Sequence, residues 1–420
     1  YGRDPAELDR VLARIVGSDQ VVPLIGVAGA REQSYTTVEV LLAEATIAET
    51  VERLATRSGP AVPEVEIAAA VNAAEQARGH ALTAGQRRVV AQLCAGRAGV
   101  SVVVGVAGSG KTTMLRSVAA SYRHAGRDVT VLCLSAAAAR VVTEETGLTA
   151  DTVAMWEAGG LQIPRASLVL VDEASMVPTL TLDQWIRVAS AYDCRIAMVG
   201  DYAQMGAPEA GGLLRDLAGL PSATQMTSVR RFHQPWERTA SKQLRHRDRA
   251  VADVYEAHGR LVGVTTQAGV ATITDAWLND VLAGSDSIIV VDTTAEAATV
   301  SARCQQLLAA NGLLGPRVGV GADQTPICVG DLVQTRLNTN GIATSDGTRV
   351  LNRDVWRITG TNADGDLQAT HTRTAVTAEV PAVYCEGHVV LAYATTIAGA
   401  QGLSLIHISE PTRLLSISYA

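Results

Sequence analysis

The chain has 420 residues and a formal net charge of −7, and 47% of its residues are hydrophobic while 4% are aromatic. That length accommodates two or three domains with cores of their own, and the composition argues against a largely disordered chain. The acidic balance argues against a protein that coats nucleic acid non-specifically, but it leaves room for a narrow basic groove.

Cysteine spacing and hydropathy indicate the compartment. The six cysteines are far apart and form no CxxC pair, which indicates neither a disulfide framework nor a zinc site and favours a reducing, cytoplasmic location. No apolar stretch reaches the roughly 18 residues needed to span a bilayer, so no membrane insertion is expected. Because the chain starts at Tyr1 rather than Met, we expect an upstream portion to be missing.

Residues 1–80 predict helices joined by polar turns, without a catalytic constellation. Thr36 and Glu39 have the spacing of a capping box ahead of an apolar run, and Ser58-Gly59-Pro60 predicts a break. We interpret this stretch as a helical docking or linker region.

Residues 81–230 predict one doubly wound α/β domain, because strand and helix patterns alternate along them. Strands are expected at residues 101–106, 129–134, 167–172, 195–199 and 223–227. Helices are expected to start near Thr83, Lys111, Ala136, Thr179 and Gly211.

Residues 231–403 predict a second α/β domain, which is incomplete. Helical patterns cover residues 235–257, 269–283 and 295–310, and a strand pattern covers residues 287–292. Residues 316–380 change to short alternating runs separated by Asn-Gly and Asp-Gly turns, which are typical of β-hairpins. We predict a small β-barrel-like insert there.

Residues 105–112 match the phosphate-loop pattern GxxxxGKT between a predicted strand and a predicted helix. Glycines let successive backbone amides turn towards phosphates, and the helix start adds a positive dipole. Lys111 is expected to neutralise the β and γ phosphates of ATP, and Thr112 to hold Mg²⁺. The candidate nucleotide-binding residues are Gly105, Ala107, Gly108, Ser109, Gly110, Lys111, Thr112 and Thr113.

Two acids end the next apolar strand pattern, residues 168–171. The strand should carry them to the carboxyl edge of the sheet, where ligands of open α/β sheets bind. Asp172 is expected to hold Mg²⁺ through water, and Glu173 to act as the general base on the attacking water. Acids at strand ends also serve as helix caps, but the upstream phosphate loop favours the catalytic interpretation.

A third strand pattern, residues 196–199, leads into the sequence Gly-Asp-Tyr-Ala-Gln that ends at Gln204. A glutamine at this edge can sense the γ-phosphate through a hydrogen bond. Taken alone, the GDxxQ pattern also fits an ordinary turn, so its value comes from its position.

With these three elements in this order, residues 80–402 resemble superfamily 1 DNA helicases, in particular the helicase portion of conjugative relaxases and the related exonuclease V alpha subunit. The resemblance implies an α/β fold of tandem RecA-like P-loop NTPase domains, with the β-rich insert in the second. Residues 82–86 resemble the Q motif of that family, which implies that Gln86 reads adenine. Thr83 and Gln86 also have capping-box spacing, and the two roles can coexist.

Three further stretches resemble motifs of the family. Residues 134–140 resemble motif Ia, which implies a DNA contact at Ser135, although an ordinary Ala-rich helix start fits equally. Residues 228–232 resemble motif IV, which implies that Arg231 reaches the γ-phosphate, with Arg230 as a salt-bridge or DNA contact instead. Residues 393–402 resemble motif V, which implies nucleic-acid contacts from Thr395, Thr396 and Gln401; Ala398 stands where the family usually has a histidine.

Basic and aromatic residues outside these motifs have two interpretations. The cluster at residues 245–249 could touch phosphate oxygens, but a solvated helix face is the favoured account. Trp156, Phe232 and Trp236 could stack on bases, but core packing is favoured for each.

Residues 404–420 look like a translated sequencing adapter, so we set them aside as a non-native tail. The family continues beyond this point to motif VI, whose arginine completes the ATP site. We therefore expect this polypeptide to bind ATP, whereas productive turnover is expected to need the motif that is missing.

The expected function is that of an ATP-dependent 5′–3′ DNA helicase or translocase from a conjugative relaxase, with ATP and Mg²⁺ as cofactors. The expected partners are single-stranded DNA, junctions of single- and double-stranded DNA, and proteins of the relaxosome or conjugation apparatus. Two alternatives are a recombination or repair helicase like the exonuclease V alpha subunit, and an ATP-binding module without motor action.

Overall fold

The computed structural model describes residues 4–24, 33–56, 61–96, 98–106, 108–152, 155–156, 163–207, 209–228, 232, 234–400 and 414–417. The chain packs as two units, Tyr1–Phe232 and His233–Ala420, which are described one at a time below.

The first unit has three successive helices over residues 38–95, after which strands and helices follow one another, with Thr149–Thr152 and Leu168–Val171 as successive strands. Its elements are α1 (Pro5–Val16), β1 (Val21–Pro23), β2 (Tyr35–Thr37), α2 (Val38–Ala55), α3 (Glu64–Arg78), α4 (Ala84–Ala95), β3 (Val100–Gly105), α5 (Lys111–His124), β4 (Val129–Cys133), α6 (Ala136–Thr146), β5 (Thr149–Thr152), β6 (Leu168–Val171), α7 (Thr179–Ala191), β7 (Arg195–Gly200), α8 (Leu213–Leu217) and β8 (Ala223–Met226).

Six of these strands form one parallel sheet in the order β5-β4-β6-β7-β3-β8. Strands β3, β4, β6 and β7 are buried along their whole length, as expected for strands covered by helices on both faces. The five strands predicted from the sequence all form, and β5 is an additional edge strand. Since all six run in the same direction, their carboxyl ends lie along one edge.

The helices of residues 38–78 are part of this unit's packing. Ile47, Val51 and Leu54 of α2 share a core cluster with residues of β3, β6 and β7, and α2 packs against α7. Ile67 and Val71 of α3 join the core on the other face of the sheet, with residues of α4 and α5. The stretch interpreted as a docking or linker region therefore contributes helices that cover the sheet.

Helix caps correct one local prediction and confirm another. The N-cap of α2 is Thr37, whose hydroxyl accepts the Val40 amide proton, and not Thr36 as the spacing suggested. Thr36 instead lies in β2, paired with β1. The capping box predicted at Thr83 and Gln86 is present at the start of α4.

The second unit has two helices before its first strand and ends in a β-rich part. Its elements are α9 (Pro235–Arg245), α10 (Val251–Ala257), β9 (Leu261–Val264), α11 (Thr266–Leu282), β10 (Ile289–Val291), α12 (Thr294–Ala310), β11 (Arg317–Val320), β12 (Pro326–Cys328), β13 (Leu332–Thr335), β14 (Thr339–Ala343), β15 (Arg349–Val350), β16 (Val355–Thr361), β17 (Leu367–His371), β18 (Thr377–Val380), α13 (Ala382–His388), β19 (Val389–Leu391), β20 (Ala394–Thr396), α14 (Ile397–Ala400) and β21 (Leu414–Ile417).

Parallel pairing in this unit, within the described residues, is limited to β10 with β20 and β9 with β21. The β-rich part forms an antiparallel sheet in the order β18-β17-β16-β13-β19, beside the hairpins β11-β12 and β14-β15. Strands β18 and β19 are the two edges of that sheet, so closure into a barrel is not confirmed. The α/β part and the β-rich part share one core, which includes Trp277, Val300 and Trp356.

A buried carboxylate joins the two parts of the second unit. Asp331 accepts hydrogen bonds from the Tyr393 hydroxyl at 2.6 Å, the Gln305 amide at 2.6 Å and the Cys328 backbone at 2.7 Å. Burial raises the pKa of Asp331, although these three donors favour its charged form. The network connects the start of β13 with α12 and with the residue just before β20.

The predicted helix over residues 235–257 is interrupted between α9 and α10. Arg247 lies in this break with a φ of +58°, a left-handed conformation that ends a right-handed helix. No helix in the described part of the chain is long and apolar enough to cross a membrane.

Candidate nucleotide-binding site

The strand order brings three of the predicted motifs to one edge of the parallel sheet. Strand β7 lies between β3, which leads into the phosphate loop, and β6, which leads into the two acids. In register, Val104 of β3 pairs with Gly200 of β7, and Val171 of β6 pairs with Met198. The phosphate loop, Asp172-Glu173 and the turn after Gly200 therefore leave the sheet side by side.

The loop between β3 and α5 depends on glycine at three positions. Gly108 and Gly110 have φ angles of +74° and +81°, a region that disfavours other residues. A Cβ atom on Gly105 would stand 2.9 Å from Cγ of Lys111, so only glycine lets the lysine stem pass. Helix α5 then starts at Lys111, with Thr112 and Thr113 partly buried in its first turn.

Lys111 is held by an acid from the neighbouring motif. Its Nζ lies 3.2 Å from Oε1 and 3.3 Å from Oε2 of Glu173, and both side chains are largely buried. Glu173 adopts a left-handed backbone conformation with a φ of +49°. Strained backbone conformations of this kind persist only where the surrounding structure holds them in place. They are most frequent at functional sites.

Asp172 is a partly buried carboxyl group next to this ion pair. Its Oδ1 accepts the backbone N–H of Glu173 at 2.9 Å. Burial and the neighbouring Glu173 carboxylate raise the pKa of Asp172 to about 6, although Lys111 and the backbone hydrogen bond oppose the change. A bound divalent cation would remove this cost, since it supplies the positive charge that two adjacent acids lack.

The turn after β7 is organised by Asp201, a residue that the sequence prediction did not select. Asp201 is buried, and its carboxylate accepts the Ala203 amide at 3.1 Å and the Gln204 side-chain amide at 3.3 Å. Gln204 is thus fixed at the sheet edge between the other two motifs. The spacing of an Asp three residues before the Gln was a usable signal, because Asp side chains commonly cap such turns.

Gln86 contacts the phosphate loop directly. Its Nε2 donates to the carbonyl oxygens of Ser109 at 3.2 Å and Gly110 at 3.3 Å, while its Oε1 accepts the Thr83 amide at 2.9 Å. The side chain is buried, and both ends of its amide are engaged in this way. Adenine reading by Gln86 stays a prediction, whereas its support of the loop is visible.

A buried hydroxyl group in the loop, that of Ser109, is suited to bind a phosphate ligand. The hydroxyl oxygen of Ser109 is buried and has no hydrogen-bond partner within the described residues. Buried polar groups are nearly always paired, so an unpaired hydroxyl in a phosphate loop fits a ligand that supplies the missing partner. Thr112 and Asp172 supply oxygen ligands of the kind that Mg²⁺ prefers.

Other candidates are only partly placed. Ala107, Arg231 and Gln401 lie outside the described residues. Ser135 is exposed and caps α6, with its hydroxyl accepting the Ala138 amide at 3.2 Å. Thr395 and Thr396 end β20 in the second unit, at the carboxyl end of its parallel pair with β10.

The remaining aromatic candidates pack within the protein. Trp156 packs against the core cluster of β6, β7 and α7. Trp236 stacks on His258 with ring centroids 3.9 Å apart and meets Tyr255 edge-on. Phe232 is partly buried. Residues 246–249 of the basic cluster are exposed, which agrees with a solvated face.

Comparison with known proteins gives three kinds of similarity. A family model described as "AAA domain" matches residues 81–266. A probable conjugal transfer protein TraA from Sinorhizobium fredii is 28% identical over 62% of this chain and 24% of its own length. Conjugal transfer proteins TraA from Rhizobium radiobacter and Agrobacterium fabrum are 25% and 26% identical over 75% of this chain and 29% of their own length.

The chain thus spans about a quarter of the length of the curated relatives it matches. A crystal structure of Bacteroides Pif1 bound to ssDNA has a TM-score of 0.47 and 14% identity, and covers 77% of this chain and 84% of that chain. The AAA domain match and the conjugal transfer relatives confirm the resemblance to superfamily 1 helicases of the conjugative relaxase type, which the motifs indicate.

Proposed function

We propose that this chain is the ATP-driven motor part of a DNA helicase that works in conjugal DNA transfer, moving 5′ to 3′ on single-stranded DNA. The observation that carries the proposal is the group of Lys111, Asp172 and Glu173 at the carboxyl edge of a parallel sheet. The names of the three relatives support the role in conjugal transfer. The 5′–3′ direction of translocation rests on the resemblance of the motifs to those of superfamily 1 helicases.

The proposal assigns a task to each residue of the candidate site. The glycine-rich loop binds the triphosphate, and Ser109 donates its hydroxyl proton to a phosphate oxygen. Thr112 and Asp172 hold Mg²⁺, which when bound neutralises charge on the phosphates. Gln204, oriented by Asp201, meets the γ-phosphate, and Arg231 is the proposed contact from the end of this unit.

The Lys111–Glu173 ion pair implies an order of events. A triphosphate competes with Glu173 for Lys111, because a lysine ammonium binds phosphate oxygens through the same donors. Once released, the Glu173 carboxylate is free to accept a proton from the attacking water as general base. Hydrolysis would then depend on a full triphosphate, which alone reaches Lys111 with its γ-phosphate.

Chemical modification of lysine tests the nucleotide site. The chain contains two lysines, Lys111 in the loop and Lys242 exposed on α9. We expect Mg²⁺ and ATP to protect Lys111 from an amine-acylating reagent and to leave Lys242 unchanged, as measured by peptide mass spectrometry. Equal acylation of Lys111 with and without nucleotide would contradict the proposal.

Substitution provides the complementary measurement. Lys111→Ala should weaken Mg²⁺-dependent ATP binding by at least about tenfold, because a charge-assisted contact to phosphate is lost. Lys242→Ala is the matched control and should bind ATP like the unmodified protein.

Motor action is a separate question. We expect single-stranded DNA to stimulate ATP hydrolysis, and 5′-tailed duplexes to be unwound in preference to 3′-tailed ones, in a protein in which the natural sequence with motif VI replaces residues 404–420. ATP binding without any stimulation by DNA would favour the alternative of an ATP-binding module, and preference for 3′ tails would reverse the direction.

A further inference from the structure

Two arginines in the β-rich part of the second unit lie close together, and neither forms an ion pair with an acid among the described residues. Arg336 follows β13 directly, and Arg353 lies in the turn between β15 and β16. The backbone N–H of Arg353 donates to the Thr335 carbonyl at 2.7 Å, so the two arginines leave adjacent points of the backbone. Both residues are exposed, although part of the Arg353 side chain is buried.

Gln334 fixes this arrangement from the sheet. Its Oε1 accepts a hydrogen bond from Nη1 of Arg336 at 3.2 Å, and its Nε2 donates to the Arg353 carbonyl at 3.4 Å. Within the part of the chain that the structure describes, no carboxylate lies within ion-pair distance of either guanidinium. The acid next in sequence, Asp354, is buried and faces Leu351 and His371.

The surroundings of Arg353 disfavour its positive charge. Partial burial and the positive charge of Arg336 both lower the pKa of Arg353. Arg353 also holds a left-handed backbone conformation with a φ of +72°, where glycine or asparagine would be less strained. An anion placed between the two guanidinium groups would offset the repulsion between their charges.

The arginine pair adjoins the segment that resembles motif V. Nη1 of Arg353 donates to the Ala398 carbonyl at 2.9 Å, in the helical turn that follows Thr395 and Thr396. The Gly399 amide donates to the Thr396 hydroxyl at 3.1 Å, and a Cβ atom on Gly399 would overlap the Thr395 hydroxyl. The turn that follows Thr395 and Thr396 therefore lies next to Arg353.

We propose that Arg336 and Arg353, with the adjoining turn of Thr395 and Thr396, bind a phosphodiester group of single-stranded DNA. Guanidinium groups suit this ligand because their planar donors match two phosphate oxygens at once. The proposal rests on the proposed function and extends it, since it places a backbone contact in the β-rich part of the second unit. The arginine pair would bind DNA without sequence preference, because contacts to phosphate groups do not depend on the identity of the bases.

Salt-dependent DNA binding by the full chain tests the proposal. We compare the unmodified protein with the double variant Arg336→Gln/Arg353→Asn, using fluorescence anisotropy of a labelled dT oligonucleotide on the order of 15 nucleotides long. Asparagine is chosen at 353 because it tolerates the left-handed backbone. Arg317→Gln, an exposed arginine of β11, is the matched control for the loss of one positive charge.

We expect the double variant to bind at least about tenfold more weakly at low salt, and its plot of log affinity against log salt to be shallower by about 0.7, since one phosphate contact of a single strand is lost. Arg336→Lys/Arg353→Lys should restore most of the slope. Unchanged affinity and slope in the double variant, with a melting temperature like that of the unmodified protein, would overturn the proposal.

Two further outcomes distinguish this proposal from a nucleotide-binding role of the arginine pair and from a failure of the proposed motor function. If the double variant lost affinity for ATP in the absence of DNA while keeping its affinity for DNA, the phosphate would belong to a nucleotide, and the proposed DNA contact would be wrong. If the unmodified protein bound no single-stranded DNA, the proposed motor function would fail together with this site. Loss of DNA binding only in the double variant supports both the proposed motor function and the proposed DNA contact of the two arginines.

Discussion

The two units present their cations in opposite ways. At the edge of the parallel sheet, Lys111 is paired with Glu173, so the site is neutralised from within until a ligand competes. In the antiparallel β-rich part, Arg336 and Arg353 face solvent without an acid in the described part of the chain. The first arrangement suits a ligand that must arrive with Mg²⁺ and trigger chemistry, and the second suits repeated, reversible contact with a polyanion.

The largest expected effect comes from making the second site resemble the first. Arg336→Glu would place a carboxylate beside Arg353, as Glu173 lies beside Lys111, and would also repel DNA phosphates. We expect single-stranded DNA affinity at low salt to fall by about a hundredfold, which exceeds the effect of Arg336→Gln. Arg317→Glu serves as the charge-matched control, and equal losses in the two Glu variants would show that only net charge matters.

A smaller effect, on stability, is expected when the negative charge of Asp172 in the first site is removed. The pKa of Asp172 is raised to about 6, so its carboxyl is protonated more readily in the folded protein than in the unfolded chain. Its charged form therefore costs stability above about pH 6, and this cost disappears as the pH falls towards the unfolded value near 4. Asp172→Asn, which keeps an acceptor for the Glu173 amide, should stabilise the nucleotide-free protein by about 2 kcal/mol at pH 8.

Thermal unfolding at pH 8 and at pH 5 measures this difference. The gain should shrink at the lower pH, whereas a gain that grows as the pH falls would contradict the raised pKa. The same variant should lose Mg²⁺-dependent nucleotide binding, which separates its role in binding from its effect on stability.

The loop contacts of Gln86 predict a loss that does not depend on the base. Gln86→Ala would leave the carbonyls of Ser109 and Gly110 without their donor, at a cost of about 1 kcal/mol. We therefore expect affinities for ATP and GTP to fall together by about fivefold in a competition assay with a fluorescent nucleotide. An additional loss for ATP alone would measure adenine reading, and an unchanged affinity for GTP would refute the loop role.

The smallest expected effect is a gain of affinity. Glu173→Gln weakens the bond that holds Lys111 in the nucleotide-free protein, so ATP no longer competes with a carboxylate. Since partly exposed ion pairs contribute up to about 1 kcal/mol, we expect ATP to bind about two- to fivefold more tightly. Glu209→Gln, an exposed acid of the same unit, is the control, and weaker binding by Glu173→Gln would show that Glu173 supports the ligand instead of competing with it.

Much of the first unit was predictable because its signals are local. The runs around Val102, Leu170 and Ala197 are continuous stretches of apolar residues, and such runs form buried parallel strands. The loop ending at Lys111 was recognisable because its glycines and lysine occupy fixed positions relative to a strand and a helix. The N-cap of α2 was misplaced by one residue, since Thr36 and Thr37 carry the same side chain and only the backbone decides which one caps.

The sequence by itself determined the residues of the candidate nucleotide site, because a phosphate loop and two acids after an apolar strand are contiguous patterns whose expected chemistry follows from residue type and spacing. Only the tertiary structure decided how charges are paired across long distances in the chain. It placed Glu173 in an ion pair with Lys111, the Gln86 amide in a hydrogen bond to the Gly110 carbonyl, and Arg353 beside Arg336. These contacts depend on strand order and on turn geometry, and no local spacing encodes them.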